Sequence, residues 1–392
     1  MAMRHERGFR LLVVASAAAL LAAIGIAHAS AESGPGAGAG AEPTAETRAA
    51  SRPGEAGRSD ASGTWGTTTG DETSRQPRIL LVGDSITQGM AGDWTWRYRA
   101  YQLLAAQGVE PDFVGYRTDT VDPATKERVE DYADPDFDRD HAGVAGMSAT
   151  DPQFDVAGLT AATRPDVVVV SLGVNDALQG HDPVVVAAAL EATVADVRSV
   201  APYADVVLAE QTTTWVDGVP AINALIRQLV GTLDSAESRV VLAPVPDGYD
   251  ALGDTWDGVH PNAIGELGIA HEVVGALAEL GYAEKPAVVT DVPAAGPPRS
   301  VVAARVTSAT PTSLELTWTL PRGITKVEVQ GRDLSTGGGW TPLGLSAWDA
   351  REHTLTGLAP GHSYELRLRP SRGTALSDES YTTTLTATTP LG

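Results

Sequence analysis

Arg78-Ile79-Leu80-Leu81-Val82-Gly83-Asp84-Ser85-Ile86-Thr87 carries the first architectural information in the chain. Four consecutive apolar residues stopped by a glycine predict a short strand covered on both faces, because a half-exposed strand would alternate polar and apolar. Asp-Ser-Ile-Thr then puts Ser85 on the turn into a helix. That turn lies outside the carboxyl end of the strand, where open parallel sheets bind their ligands. The same two residues, Asp84 and Ser85, also suit an ordinary helix cap.

Similar apolar runs recur at Asp166-Val167-Val168-Val169-Val170, Asp205-Val206-Val207-Leu208 and Arg239-Val240-Val241-Leu242. Helical stretches rich in Ala and Leu are predicted over 96–107, 183–200, 219–233 and 261–280, with Gly281 ending the last. Strands alternating with helices imply an α/β domain with a parallel sheet covered on both sides, over residues 78–282.

The pattern changes towards both ends. Residues 1–29 have basic Arg4, Arg7 and Arg10, an apolar run over 11–27 and small residues at Ala27-His28-Ala29, which predicts an export signal cleaved after Ala29. The run is also at the lower limit of a membrane span; the small-residue site favours cleavage, hence a secreted protein with no stable membrane insertion. Residues 30–77 are Gly, Ala, Ser, Thr, Pro and Glu with almost no large apolar side chain, a composition too poor in burial to offset ordering entropy. A Pro- and Ala-rich linker is expected over 283–296. Beyond it, Ser313-Leu314-Glu315-Leu316-Thr317-Trp318, Lys326-Val327-Glu328-Val329-Gln330 and Tyr364-Glu365-Leu366-Arg367-Leu368 alternate polar and apolar between Gly and Pro turns, as in a small antiparallel sandwich over 297–390.

Composition excludes several functions. The 392 residues hold 28 Lys+Arg against 50 Asp+Glu, a formal charge of −22, which repels nucleic-acid backbones and anionic membrane surfaces. There is no Cys, so disulfides and thiolate metal sites are ruled out. Apolar residues make up 43% of the chain, enough for cores held by burial alone.

Three further segments fall near predicted strand ends or helix starts. In Asp257-Gly258-Val259-His260-Pro261-Asn262, a carboxylate three residues before an imidazole on a turn can hold Nδ1–H and leave Nε2 free for Ser85. Asp254 is a second candidate for that carboxylate; spacing favours Asp257. His141-Ala142-Gly143-Val144-Ala145-Gly146-Met147-Ser148 and Gly173-Val174-Asn175-Asp176 can supply donors to a developing oxyanion, from the Gly146 N–H and the Asn175 amide, with the Ser85 N–H as a third. Singly, each segment is an ordinary loop.

Together and in this order, the four segments resemble the GDSL or SGNH hydrolase family. The resemblance implies a three-layer α/β/α domain with Ser85, Gly146, Asn175 and His260 as signature residues and Asp257 completing a triad, with Gly143 the alternative in the second segment. It implies acyl transfer through a Ser85 acyl-enzyme, with no cofactor and no metal. Arg78 to Gly89, Asp112-Phe113-Val114-Gly115 and the His-Ala-Gly-Val-Ala-Gly segment are most similar to carbohydrate esterases of the acetyl xylan esterase kind, although Met147 stands where that group carries an aromatic. The implied substrate is an ester, expected to be an acetylated polysaccharide. The alternatives are a lipase or thioesterase on the same machinery, or a non-catalytic polysaccharide-binding surface protein. Leu358-Ala359-Pro360-Gly361-His362-Ser363-Tyr364, with Trp318, resembles a fibronectin type III module and its tyrosine corner.

Secondary signals have two readings each. Trp94, Trp96, Trp215 and Trp256 offer flat faces to sugar rings or serve as packing residues. Trp340 and Trp348 in the C-terminal module can touch polymer or fill its core. Asp119, Asp122, Asp131, Asp134, Asp136, Asp138 and Asp140 form an acidic segment without an ordered calcium-loop pattern, so a solvated loop is expected.

Overall fold

The computed structural model describes residues 76–287, 301–373, 375–376, 381–382 and 384–392. The expected export signal, nearly all of the low-complexity stretch and most of the linker lie outside these residues. Among the described residues no helix is long and apolar enough to cross a membrane.

The N-terminal domain begins with β1 (Arg78–Gly83), followed by α1 (Ser85–Gln88), α2 (Thr95–Ala105) and β2 (Asp112–Val114). A small hairpin of β3 (Thr120–Val121) and β4 (Arg128–Val129) precedes β5 (Ala142–Gly143) and α3 (Val156–Thr163). Then come β6 (Val167–Ser171), α4 (Val174–Leu178), α5 (Pro183–Val200), β7 (Asp205–Ala209), α6 (Val219–Leu233), β8 (Val240–Ala243) and α7 (Ala263–Glu279). The sheet order is β2-β1-β6-β7-β8, all parallel, and β5 pairs with the upper end of β1.

Continuous apolarity in the strands follows from helices on both sides. Ile79, Leu81, Val167 and Val169 point into one core with Trp96, Ala100 and Leu104 of α2 and Ile269, Val273 and Leu277 of α7. Leu80, Val82, Val168 and Val170 point into the other, against Val186, Leu190 and Val194 of α5 and Ile222 and Ile226 of α6. Side chains that alternate between two buried layers are the three-layer α/β/α arrangement. Each such Val, Leu or Ile contributes about 1.5–3 kcal/mol by leaving water.

The predicted helices over 183–200 and 219–233 match α5 and α6, and the other two differ from α2 and α7 by one or two residues at each end. The short elements β2, β3, β4, β5, α3 and α4 carry too few residues to show a period.

The C-terminal domain is all-β. One sheet has the order β13 (Glu352–Thr356), β10 (Ser313–Thr319), β9 (Val302–Thr310); the other has β12 (Thr341–Leu345), β11 (Lys326–Asp333), β14 (Ser363–Arg372), β15 (Ala375–Leu376), with β16 (Leu385–Thr388) also on β14. Leu314, Leu316, Trp318, Val327, Val329, Leu366 and Leu368 fill the core between them. The Tyr364 hydroxyl accepts the Ala359 N–H at 2.8 Å, the corner bond that the sequence suggested.

Candidate active site

Ser85 starts α1 immediately after β1, and Asp84 caps that short helix by accepting the Ile86 N–H at 2.8 Å. The cap and the nucleophile candidate are therefore adjacent residues with separate tasks. The turn is held from behind by Arg97, whose buried guanidinium donates to Thr87 O (2.8 Å), Gln88 O (3.1 Å), the Tyr132 hydroxyl (2.8 Å) and Arg139 O (3.0 Å). A planar fork of donors suits four acceptors in a way that an ammonium does not.

Facing the Ser85 turn, residues 255–261 close a small loop. Thr255 and Pro261 form a bridge, and the Trp256 N–H donates to His260 O at 3.1 Å. Within the loop, Asp257 Oδ1 accepts the Val259 and His260 N–H groups at 3.0 and 2.8 Å. Asp257 Oδ2 lies 2.8 Å from His260 Nδ1, and His260 Nε2 lies 2.9 Å from Ser85 Oγ. Asp254 is engaged elsewhere, accepting the Asp250 N–H at 2.7 Å.

This geometry fixes the imidazole chemistry. Burial alone would push the Asp257 carboxyl up, but the neighbouring His260 ring and the N–H donors hold it below the ordinary carboxylate range. An ionised Asp257 on Nδ1 demands the Nδ1–H tautomer, so Nε2 presents a lone pair to the Ser85 hydroxyl. Ser85 and His260 are 5% and 3% exposed, so the pair is shielded from bulk water.

The two donor segments converge on the same end of the sheet. β5 pairs Ala142 and Gly143 with Val82 and Gly83, which carries the following loop to the Ser85 turn. Gly143 is packed within this pairing, where a Cβ would lie 2.6 Å from the Gln88 nitrogen. Gly146 comes three residues later with φ 84°, a conformation that favours glycine. Among the described residues, neither the Ser85 N–H nor the Gly146 N–H has a protein acceptor, so both remain available. Asn175, in α4, donates one amide hydrogen to Met147 O at 2.9 Å and keeps the other. Its neighbour Asp176 accepts from Ala149 N (2.8 Å), Thr150 N (3.1 Å) and Thr150 Oγ (2.7 Å), fastening the second segment to the third.

Several supporting residues lie in the quoted segments but have no role assigned from the sequence. Gln88 Oε1 accepts the Ala145 N–H at 2.8 Å. His141 Nδ1 accepts the Gly143 N–H at 2.9 Å while Nε2 meets Asp119 O at 2.8 Å, and burial followed by the Arg97 charge holds its pKa well below the ordinary histidine value. His141 is therefore a neutral structural residue. Among the tryptophans, Trp96 and Trp256 are buried, whereas Trp94 and Trp215 are half-buried. In the acidic segment Asp119 pairs with Arg117 and Arg128, Asp134 accepts from Tyr98, and Asp138 accepts the Phe113 N–H. Among the described residues no three His, Asp or Glu side chains gather into a metal-binding group.

Residues 81–266 match the model of the GDSL-like lipase/acylhydrolase family, and residues 296–386 match that of the fibronectin type III domain. The N-terminal domain is a GDSL-like acylhydrolase domain.

Solved structures similar to this ester hydrolase include a carbohydrate esterase family 3 protein from Talaromyces cellulolyticus, at 29% identity over 52% of this chain and 97% of that one, with a TM-score of 0.45. A Clostridium thermocellum family 3 carbohydrate esterase is 26% identical over 52% of this chain and 96% of its own, with a TM-score of 0.44. An acetyl esterase variant solved with acetate ion is 28% identical over 52% and 97%, with a TM-score of 0.45. No curated protein matches the chain.

Proposed function

We propose that the chain is a secreted serine esterase that removes O-acetyl groups from carbohydrate through a Ser85 acyl-enzyme. The observation that carries this reading is the continuous line from Asp257 Oδ2 through His260 to Ser85 Oγ, with spacings of 2.8 and 2.9 Å. His260 Nε2 takes the Ser85 proton as Oγ attacks the ester carbonyl, Asp257 steadies the imidazolium, and the oxyanion faces the N–H groups of Ser85 and Gly146 and the second amide hydrogen of Asn175. His260 then gives its proton to the departing alcohol. Water attacks the acyl-enzyme with His260 again as base, releasing a carboxylic acid and free Ser85.

The substrate class rests on the resemblance of the segments at 78–89, 112–115 and 141–146 to carbohydrate esterases. A nucleophile only 5% exposed agrees with a short acyl group. The charged N-terminus, apolar run and small-residue site of residues 1–29 support export, and the formal charge of −22 argues against a nucleic-acid partner. The test is acetate release from acetylated xylan, acetylated peptidoglycan fragments and simple lipids, beside a series of para-nitrophenyl esters of increasing chain length. Preference for acetylated polymer and acetyl ester is expected; faster cleavage of long acyl chains would make the enzyme a lipase or thioesterase instead.

A further inference from the structure

The C-terminal domain touches the hydrolase domain beside His260. The rings of His260 and Trp256 stack with centroids 5.2 Å apart and planes 18° apart. Trp348 of the fibronectin type III domain continues the stack on Trp256, at 6.1 Å and 21°. The Arg372 guanidinium lies 5.9 Å from the centre of the Trp256 ring, and Gly373 approaches the Trp256 carbonyl so closely that a Cβ would stand 1.9 Å from its oxygen. Trp256 is consequently buried, with His260 on one domain and Trp348, Arg372 and Gly373 of the other around it. Trp348 is only half-buried, so it neither fills the sandwich core nor stands free.

The contact is fastened by specific bonds. Arg372 Nη1 pairs with Asp93 Oδ2 at 2.6 Å, Nη2 donates to Ala91 O at 2.6 Å, and Nε donates to Gly323 O at 2.7 Å. The Gly323 N–H donates to Asp122 Oδ2 at 3.1 Å. Arg372 and Asp93 are both largely shielded from water, where an ion pair with satisfied hydrogen bonds gives geometric definition.

We infer that Trp348 is a positioning residue for His260, acting through Trp256, so that the fibronectin type III domain forms part of the catalytic apparatus rather than a spacer. The inference rests on His260 being the general base of the proposed mechanism. The ring stack transmits a shift of the indole to the imidazole, while the backbone bond from the Trp256 amide N–H to the His260 carbonyl oxygen fixes the two main chains that carry the rings. Small displacements of a base from its proton are costly to rate even when the binding of substrate is untouched.

The test uses the full chain and two substrates, para-nitrophenyl acetate and an acetylated polysaccharide. Trp348→Ala should lower kcat on both by about tenfold with KM changed by less than about twofold, the pattern of an interaction lost in the transition state. Trp348→Phe, which restores a flat ring, should recover most of the rate. Gly373→Ala provides an independent wedge against Trp256 and should reproduce the kcat loss without altering Trp348; Gly323→Ala, whose Cβ would stand 2.1 Å from Ala91 O, is a second. Circular dichroism and Tm report whether each variant remains folded.

Undiminished kcat in folded Trp348→Ala overturns the inference. A loss confined to the polysaccharide overturns it too, because Trp348 would then be a substrate contact. If the wedge variants stay folded and fully active, positioning by the domain is likewise refuted. Ser85→Ala separates the two levels: an inactive Ser85→Ala beside a fully active Trp348→Ala removes only the positioning role, whereas an active Ser85→Ala removes the mechanism beneath it.

Discussion

Gln88 and Ala145 are joined by a side-chain carbonyl that accepts a backbone N–H at 2.8 Å, which ties the turn carrying Ser85 to the loop carrying Gly146. The proposed nucleophile and one proposed oxyanion donor come from segments about sixty residues apart, yet this bond makes them one piece. Preorganised donors cost no rearrangement when charge develops on the substrate, which is the source of their effect. Gln88→Ala leaves the Ala145 N–H without its partner and should destabilise the protein by about 1–2 kcal/mol while lowering kcat several-fold. Urea denaturation and steady-state kinetics measure both.

The proposed oxyanion donors predict a sharper kinetic effect. Asn175→Ala should reduce kcat by about a hundredfold or more, roughly 3 kcal/mol of barrier, with little change in KM. A change confined to KM would assign Asn175 to ground-state binding.

Arg97 predicts a structural effect. Arg97→Lys keeps the charge but cannot reach Thr87 O, Gln88 O, Arg139 O and the Tyr132 hydroxyl together, so buried acceptors lose their donors. A loss of at least about 3 kcal/mol in unfolding free energy is expected, read as a lower urea midpoint at unchanged slope.

Asp84 predicts a pH effect on stability. Burial raises its carboxyl to about 7, against the opposing backbone bond from Ile86. The native state then holds a proton that the unfolded chain, titrating near 3.8, has already released, so stability falls as pH rises from about 4 to about 7. Asp84→Asn keeps an oxygen for the Ile86 N–H and removes the titration. Its Tm should exceed that of the wild type by more at pH 8 than at pH 5, and an equal difference at both would place the Asp84 carboxyl in its ordinary range.

The long elements were legible in the sequence for a physical reason. Ile79 to Val82 and Val167 to Val170 are apolar at every position because both sheet faces are covered, and α5 and α6 are long enough to show a helical period. The spacing of Asp257 and His260 likewise announced their contact, since residues three apart on a turn face one another. Pairing of β5 with β1 was not legible, because two residues carry no periodicity, although it delivers Gly146 to the site. Gln88 acts through a backbone nitrogen, which has no sequence signature, and the position of Arg97 after Trp96 resembles the carbohydrate-esterase pattern without revealing the acceptors it holds. Trp348 read as a choice between core and exposed contact; its place against Trp256 depends on how two domains meet, which composition and alternation do not encode.

Rapid quenching during turnover of para-nitrophenyl acetate, followed by mass mapping of the peptides, asks whether Ser85 carries the acyl group. An acetyl adduct on the Ser85 peptide, together with loss of both adduct and hydrolysis in Ser85→Ala, is the expected result. Hydrolysis continuing undiminished in Ser85→Ala would contradict the assignment of Ser85, His260 and Asp257 as the machinery of ester cleavage.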